Sequence, residues 1–227
     1  MDGNGRWARR RAMPRFMGHR QGVKALKTAV RYASDHGISA LTVYAFSTEN
    51  WTRPREEVDF LMDLMYKTFV QEIEELNKEG VRIRQVGDRT SLTPEIRRVW
   101  TQAEEITANN KGLTLNIAFN YGGRQELINV MHQLADRVSQ GDLSIDEITE
   151  EEVASLLYTH PTPEPDLIIR TGGEMRLSNF LLWQAAYAEF YVTDVLWPDF
   201  GNDDFERALQ SYAARERRFG QVLAKEQ

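Results

Sequence analysis

Residues 2–7 read Asp-Gly-Asn-Gly-Arg-Trp, an acid and a base separated by two glycines and an amide. The glycines, Gly3 and Gly5, let the backbone approach a ligand closely and turn its amides toward an anion. Asp2 repels phosphate directly, but it can reach phosphate through Mg2+, which takes one or two carboxylates plus phosphate oxygens. Residues 168–179 set Arg170 and Arg176 on either side of the Gly172-Gly173 pair, with Leu177 and Ser178 following. Two guanidinium forks at that spacing can grip one diphosphate from two sides. Residues 46–56 bring Ser47, Thr48, Glu49, Asn50, Trp51 and Arg53 together, and residues 120–124 read NYGGR. Singly, each stretch also suits an ordinary surface turn. Together they supply amides, hydroxyls and guanidinium groups, the chemistry that holds phosphate oxygens.

The charge distribution points the same way. The first twenty residues carry six arginines, Arg6, Arg9, Arg10, Arg11, Arg15 and Arg20, against Asp2 alone, in a chain whose net charge is −6. Such a split implies a partner: nucleic acid, an anionic membrane or a phosphorylated small molecule. The acidic remainder and the lack of a recognisable nucleic-acid-binding module argue against the first. The chain has no cysteine, which excludes a disulfide scaffold and a thiolate metal site and suits a reducing compartment. No apolar run approaches the roughly 20 residues of a membrane span, and no signal-peptide core is visible.

These residues need elements to position them. Short β-branched runs predict strands over residues 41–46, 81–86, 113–119, 166–170 and 190–195. Helical periodicity marks residues 21–36, 56–78, 94–109, 123–139, 149–157, 178–187 and 203–219. Strand–helix alternation over 227 residues predicts a single α/β domain: a mostly parallel central sheet flanked by helices. Ligands bind beyond the carboxyl ends of strands in open α/β sheets, and three of the polar stretches follow predicted strands. DGNGR looks like another strand-to-helix turn, with only Met1 left of its strand.

In this order, DGNGRWA, His19 to Gly22, FSTENWTRP, NYGGR, RTGGEMRLSNFLLWQ and EFYVTDVLWPDF closely resemble the cis-prenyltransferases, above all the bacterial undecaprenyl diphosphate synthases. The resemblance covers essentially the whole chain. It implies Mg2+-dependent condensation of isopentenyl diphosphate onto an allylic diphosphate, typically farnesyl diphosphate. The product would be a long polyprenyl diphosphate such as undecaprenyl diphosphate, the lipid carrier of cell-wall glycan synthesis. It also implies an apolar tunnel for the growing chain, with Phe60, Leu61, Leu64, Met65 and Phe69 as candidates on one side and Ala45, Leu113 and Ile117 on the other.

Carried over by position, Asp2 resembles the essential acid and Asn50 the residue assigned to proton removal. Gly3, Asn4, Gly5, Arg6 and Trp7 resemble the allylic diphosphate cradle, with Arg15 and His19 as further contacts. Ser47, Thr48 and Glu49 line the same mouth, and Trp51 and Arg53 belong to a substrate-orienting loop. Arg170, Arg176, Leu177 and Ser178 resemble the isopentenyl diphosphate site. Asp2 and Glu189 match the carboxylates at the metal. The resemblance also implies a homodimer joined through about residues 187–219, a cytoplasmic location, and transient contact with the inner membrane surface at product release. Three departures stand out: the family's apolar strand before DGNGR is reduced to Met1, Met175 replaces a histidine of some members, and Phe119 is bulky for a position near the tunnel. The competing expectation is a non-catalytic partner subunit, a class that typically loses DGNGR.

Overall fold

The computed structural model describes residues 1–215, with the side chain of Phe69 left aside. Twelve main elements run α1 (Asn4–Arg10), α2 (Arg15–Asp35), β1 (Ala40–Ser47), α3 (Arg55–Lys78), β2 (Arg82–Val86), α4 (Pro94–Thr107), β3 (Thr114–Tyr121), α5 (Gly123–Gln140), α6 (Glu150–Leu156), β4 (Leu167–Arg170), β5 (Glu189–Val192) and α7 (Asn202–Ala213). Their ends follow local chemistry. Pro54 precedes α3, Glu56 and Glu57 occupy its first turn and Lys78 its last, matching the helix dipole. The Thr93 hydroxyl caps α4 by accepting from the Ile96 N–H.

All strand pairs are parallel, but they form two sheets: β1-β3-β2 and β4-β5. The parallel pairing flanked by helices is the α/β arrangement the strand–helix alternation predicts, with β4 and β5 set apart as a second pair. Strand β3 is central and buried almost throughout, with Leu115, Ile117, Ala118 and Phe119 in the core and two buried asparagines, Asn116 and Asn120, whose amides are hydrogen-bonded. The main core lies between the three-stranded sheet and α2, α3 and α4, around Trp100, Phe46, Phe119, Ile83 and Leu115. Phe119 is locked there, its ring centroid 5.4 Å from Phe46 and 5.5 Å from Trp100.

The expected helix at 178–187 is absent. Ser178, Asn179 and Leu181 have left-handed backbone angles, which a right-handed helix cannot hold. The segment is drawn inward instead. Gln184 donates to the buried Glu126 carboxylate at 3.1 Å, which also accepts from the Tyr121 hydroxyl at 2.6 Å and the Tyr158 N–H at 2.8 Å. Burial raises the Glu126 pKa against these three bonds. The expected helix at 203–219 is observed as Asn202–Ala213, and the expected residues 216–219 lie outside the described residues. Helix α1 begins inside DGNGR, as expected of a strand-to-helix turn. No helix among the described residues is long and apolar enough to cross a membrane.

Candidate active site

A cleft of about 1700 Å3 opens where the ends of β1 and β4 meet residues 1–6. Every residue of β1 and of 162–171 lines it, so these walls are strand edges. Beyond them the lining turns apolar, with Leu61 from α3, Ala29 from α2 and Trp197, Phe200 and Phe205.

Asp2 is fixed at the junction. Its N–H donates to Thr171 Oγ1 at 3.0 Å, and its carbonyl accepts from Trp197 N at 2.9 Å. Its carboxylate then falls between two arginines, 3.0 Å from Arg170 Nη2 and 3.4 Å from Arg6 Nη2. Burial pushes the Asp2 carboxyl up. The hydrogen bond and charge of Arg170, with Arg6 and the Gly3 N–H, outweigh that and hold it below the ordinary carboxylate range. Arg6 also donates to the Gly172 carbonyl at 2.7 Å and lies 3.6 Å from Glu174. The φ of Gly172 is +85°, so this turn favours glycine, and a β-carbon there, 2.4 Å from Arg6 Nη2, would also push the guanidinium aside. Arg170 Nη1 donates to Ser178 Oγ at 3.0 Å and to the Arg176 carbonyl, which ties the strand end to the residues beyond the glycines.

A second cationic group lines the same cleft. Glu57 gathers Arg53 at 3.0 Å, Arg15 at 3.2 Å and His19 Nε2 at 3.9 Å. Burial lowers the His19 pKa to about 4, Glu57 opposes that, and Arg53 and Arg15 reinforce it. His19 is therefore neutral near pH 7. The sign of its pH effect follows. As pH falls through 6.5 the unfolded chain binds a proton here and the folded chain does not, so stability is full above 6.5 and declines toward 4. We expect His19→Gln to remove about 2 kcal/mol of the stability difference between about pH 7 and about pH 5, measured by urea unfolding. An unchanged slope would show that His19 already takes up its proton in the folded chain.

Residues 47–53 form a 3-10 turn in which Asn50 Oδ1 accepts from the Ser47 N–H at 3.1 Å. Of the residues anticipated for the site, Asp2, Gly3, Asn4, Gly5, Arg6, Arg15, His19, Ser47, Glu49, Asn50, Arg53, Arg170, Arg176, Leu177 and Ser178 line the cleft. Others do not. Trp7 turns outward, donates to Asp199 Oδ1 at 2.6 Å and carries Arg11 over its ring. Thr48 and Trp51 lie behind the turn. Asn4 borders the cleft but packs its side chain toward α2, where a β-carbon on Gly22 would be 2.4 Å from Asn4 Oδ1.

Glu189 is also placed apart. It begins β5 at the level of Leu167, three residues from Arg170, and pairs with Arg215 at 2.5 Å. Three strand residues span roughly 10 Å, so this chain does not bring Glu189 to Asp2. Among the described residues no group of three or more acidic or histidine side chains forms a metal cage. What is present is Asp2, partly exposed to the cleft, with Glu174 nearby on the far side of Arg6. That donor set fits Mg2+ arriving with a diphosphate, whose oxygens complete the shell.

Sequence reasoning missed Glu57, Glu174 and Thr171. Glu57 had one readable signal, the four-residue spacing from Arg53 on the approach to a helix. Thr171 had none, because it acts across 169 residues of chain.

A family model described as a putative undecaprenyl diphosphate synthase matches residues 1–220. The chain belongs to the undecaprenyl diphosphate synthase family. An isoprenyl transferase of Agrobacterium fabrum is 53% identical over 97% of this chain and 89% of its own length. The Escherichia coli K12 ditrans,polycis-undecaprenyl-diphosphate synthase specific for (2E,6E)-farnesyl diphosphate is 50% identical over 97% of this chain and 87% of its own. Among solved structures, lavandulyl diphosphate synthase from Lavandula x intermedia, in complex with dimethylallyl diphosphate, superposes with a TM-score of 0.94. It is 37% identical and covers 97% of this chain and 95% of its own. A probable undecaprenyl diphosphate synthase from Campylobacter jejuni, also 37% identical, gives 0.78 over 88% and 92% of the two chains. Members of the family thus share one fold while being named for different prenyl diphosphates.

Proposed function

We propose that this chain is a cis-prenyltransferase that condenses isopentenyl diphosphate with an allylic diphosphate, farnesyl diphosphate by preference, and builds undecaprenyl diphosphate. The observation that carries the reading is the Asp2 carboxylate held between Arg6 and Arg170, one arginine from each anticipated diphosphate site. Each substrate brings about three negative charges, so a binding diphosphate takes over an arginine and frees Asp2. The freed carboxylate is then available to Mg2+, which supplies positive charge to the departing diphosphate.

The rest falls to side chains. Arg6 and the first-turn amides of α1, which have no earlier carbonyl partner, hold the allylic diphosphate. Arg170, Arg176 and Ser178 hold the isopentenyl diphosphate. The allylic carbon–oxygen bond breaks with its electron pair leaving on diphosphate, and the isopentenyl double bond attacks that carbon. The carbon next to the new cation then loses a proton and a cis double bond forms. Arginines aimed at the departing oxygens stabilise charge where it develops. Asn50 is an amide and a poor base. It orients the substrate while a diphosphate oxygen takes the proton.

The prenyl chain is apolar and grows into the apolar part of the cleft, past Leu61, Val43 and Ala29. The complete DGNGR motif, assembled with Arg170 in one cleft, favours catalysis over a partner-subunit role. The family resemblance further supports a homodimer and a cytoplasmic enzyme that touches the membrane surface at product release.

Incubation with farnesyl diphosphate, labelled isopentenyl diphosphate, Mg2+ and detergent is expected to yield long polyprenyl products. Chelation by EDTA should abolish them. Absence of product would overturn the proposed activity.

A further inference from the structure

The turn that carries Asn50 is fastened from outside by two other asparagines, one on each side. Asn179 Nδ2 donates to Glu49 Oε1 at 2.7 Å, and Trp51 Nε1 donates to Asn120 Oδ1 at 2.7 Å. Glu49 and Trp51 are the immediate neighbours of Asn50. We propose that Asn120 and Asn179 are positioning residues that clamp Glu49 and Trp51 and so hold Asn50 in the cleft. The proposal rests on the prenyl-transfer reading for what the turn accomplishes, but the clamp itself can be tested separately.

Both anchors are rigid. Asn120 is buried, 3% exposed, and its Nδ2 donates to the Asp88 carbonyl at 2.9 Å and to Ser91 Oγ at 2.8 Å. Asp88 in turn accepts from Thr90 and Ser91, which closes the 88–91 loop on itself. Asn179 is held from the opposite side. Its carbonyl accepts from Gly123 N and its Oδ1 from Arg124 N, each at 2.8 Å. It also follows Ser178, which Arg170 contacts. The clamp therefore joins the Asn50 turn to the strand-to-helix turn after β3 and to the Arg170–Ser178 group.

The residue type is accounted for by the backbone as well as by the bonds. Asn120 and Asn179 have φ of +53° and +63°. Asparagine tolerates the left-handed region better than other side chains, and its amide can both donate and accept. Glycine there would keep the backbone and lose only the amide. Asn→Gly is thus the variant that isolates the clamp, whereas alanine would add strain.

Two readouts are needed. Hydrogen exchange of a peptide spanning residues 47–53 reads the clamp without substrate, and steady-state kinetics reads its consequence. In N120G and N179G we expect faster exchange in that peptide. We also expect kcat to fall on the order of tenfold or more, with the KM for isopentenyl diphosphate nearly unchanged, because misplacing a group that acts in the transition state costs turnover first. A control, Asn110→Gly, removes bonds to Asn77 and Val81 far from the cleft. It should affect thermal stability without the kcat loss. Wild-type exchange in N120G and N179G would overturn the clamp. A kcat loss no larger than that of N110G would overturn the positioning role. An inactive wild-type protein would instead count against the prenyl-transfer reading, with the exchange result still deciding the clamp.

Discussion

Asp2→Ala is expected to lower kcat by about three orders of magnitude, because on the proposed reading it removes at once the carboxylate offered to Mg2+ and the group that sets two arginines. Arg170 and Arg6 would lose a partner at 3.0 Å and 3.4 Å, which makes the cleft more positive. Diphosphate binding should therefore survive or tighten while turnover collapses. That division, low kcat with KM unchanged or reduced, marks a residue acting in the transition state. Asp2→Asn tests the charge alone, since it keeps the volume and leaves the backbone bonds to Thr171 and Trp197 available. Steady-state kinetics with Mg2+ at saturation is the measurement. A kcat within tenfold of wild type in Asp2→Ala would remove the carboxylate from the mechanism.

The second large effect lies outside the cleft. Gly18→Ala is expected to destabilise the protein by about 3 kcal/mol and to displace the turn proposed to hold the allylic diphosphate. A β-carbon at Gly18 would stand 2.0 Å from the Asn4 carbonyl oxygen and 2.7 Å from its carbon. Both are backbone atoms, so no rotamer change relieves the clash and α1 must move as a body. Helix α1 carries Asn4, Gly5 and Arg6, and its displacement would part Arg6 from Asp2 and Gly172. Thermal unfolding should show a midpoint lower by roughly 6–12 °C. Gly201→Ala is the control, because nothing lies within 4 Å of the added carbon and its φ is ordinary. Equal midpoints for the two variants would mean that α1 and α2 adjust freely.

The five strands were readable because each is a short apolar run with turn residues at both ends, and their observed limits differ from expectation by only a few residues. The failure at 178–187 has a different origin. Its apolar spacing fits a helix, but the buried Glu126 takes Gln184, and three left-handed residues redirect the chain. A carboxylate 58 residues away leaves no trace in local periodicity. Trp7 fails similarly: its neighbours in sequence belong to the cleft, but Asp199 offers its indole a partner on the outside.

What the sequence by itself determined was the chemistry: which stretches carry amides, hydroxyls, guanidinium groups and the few acids among them, and which family combines them. Those properties belong to residue types and short spacings, and they survive without a structure. Only the tertiary structure decided orientation. It set Asp2 between Arg6 and Arg170, parted Glu189 from Asp2 by the length of a strand, and placed Asn120 and Asn179 on either side of the Asn50 turn. The physical reason is that those contacts join residues far apart in the chain. Their partners are selected when strands register and cores close, and no local pattern encodes that choice.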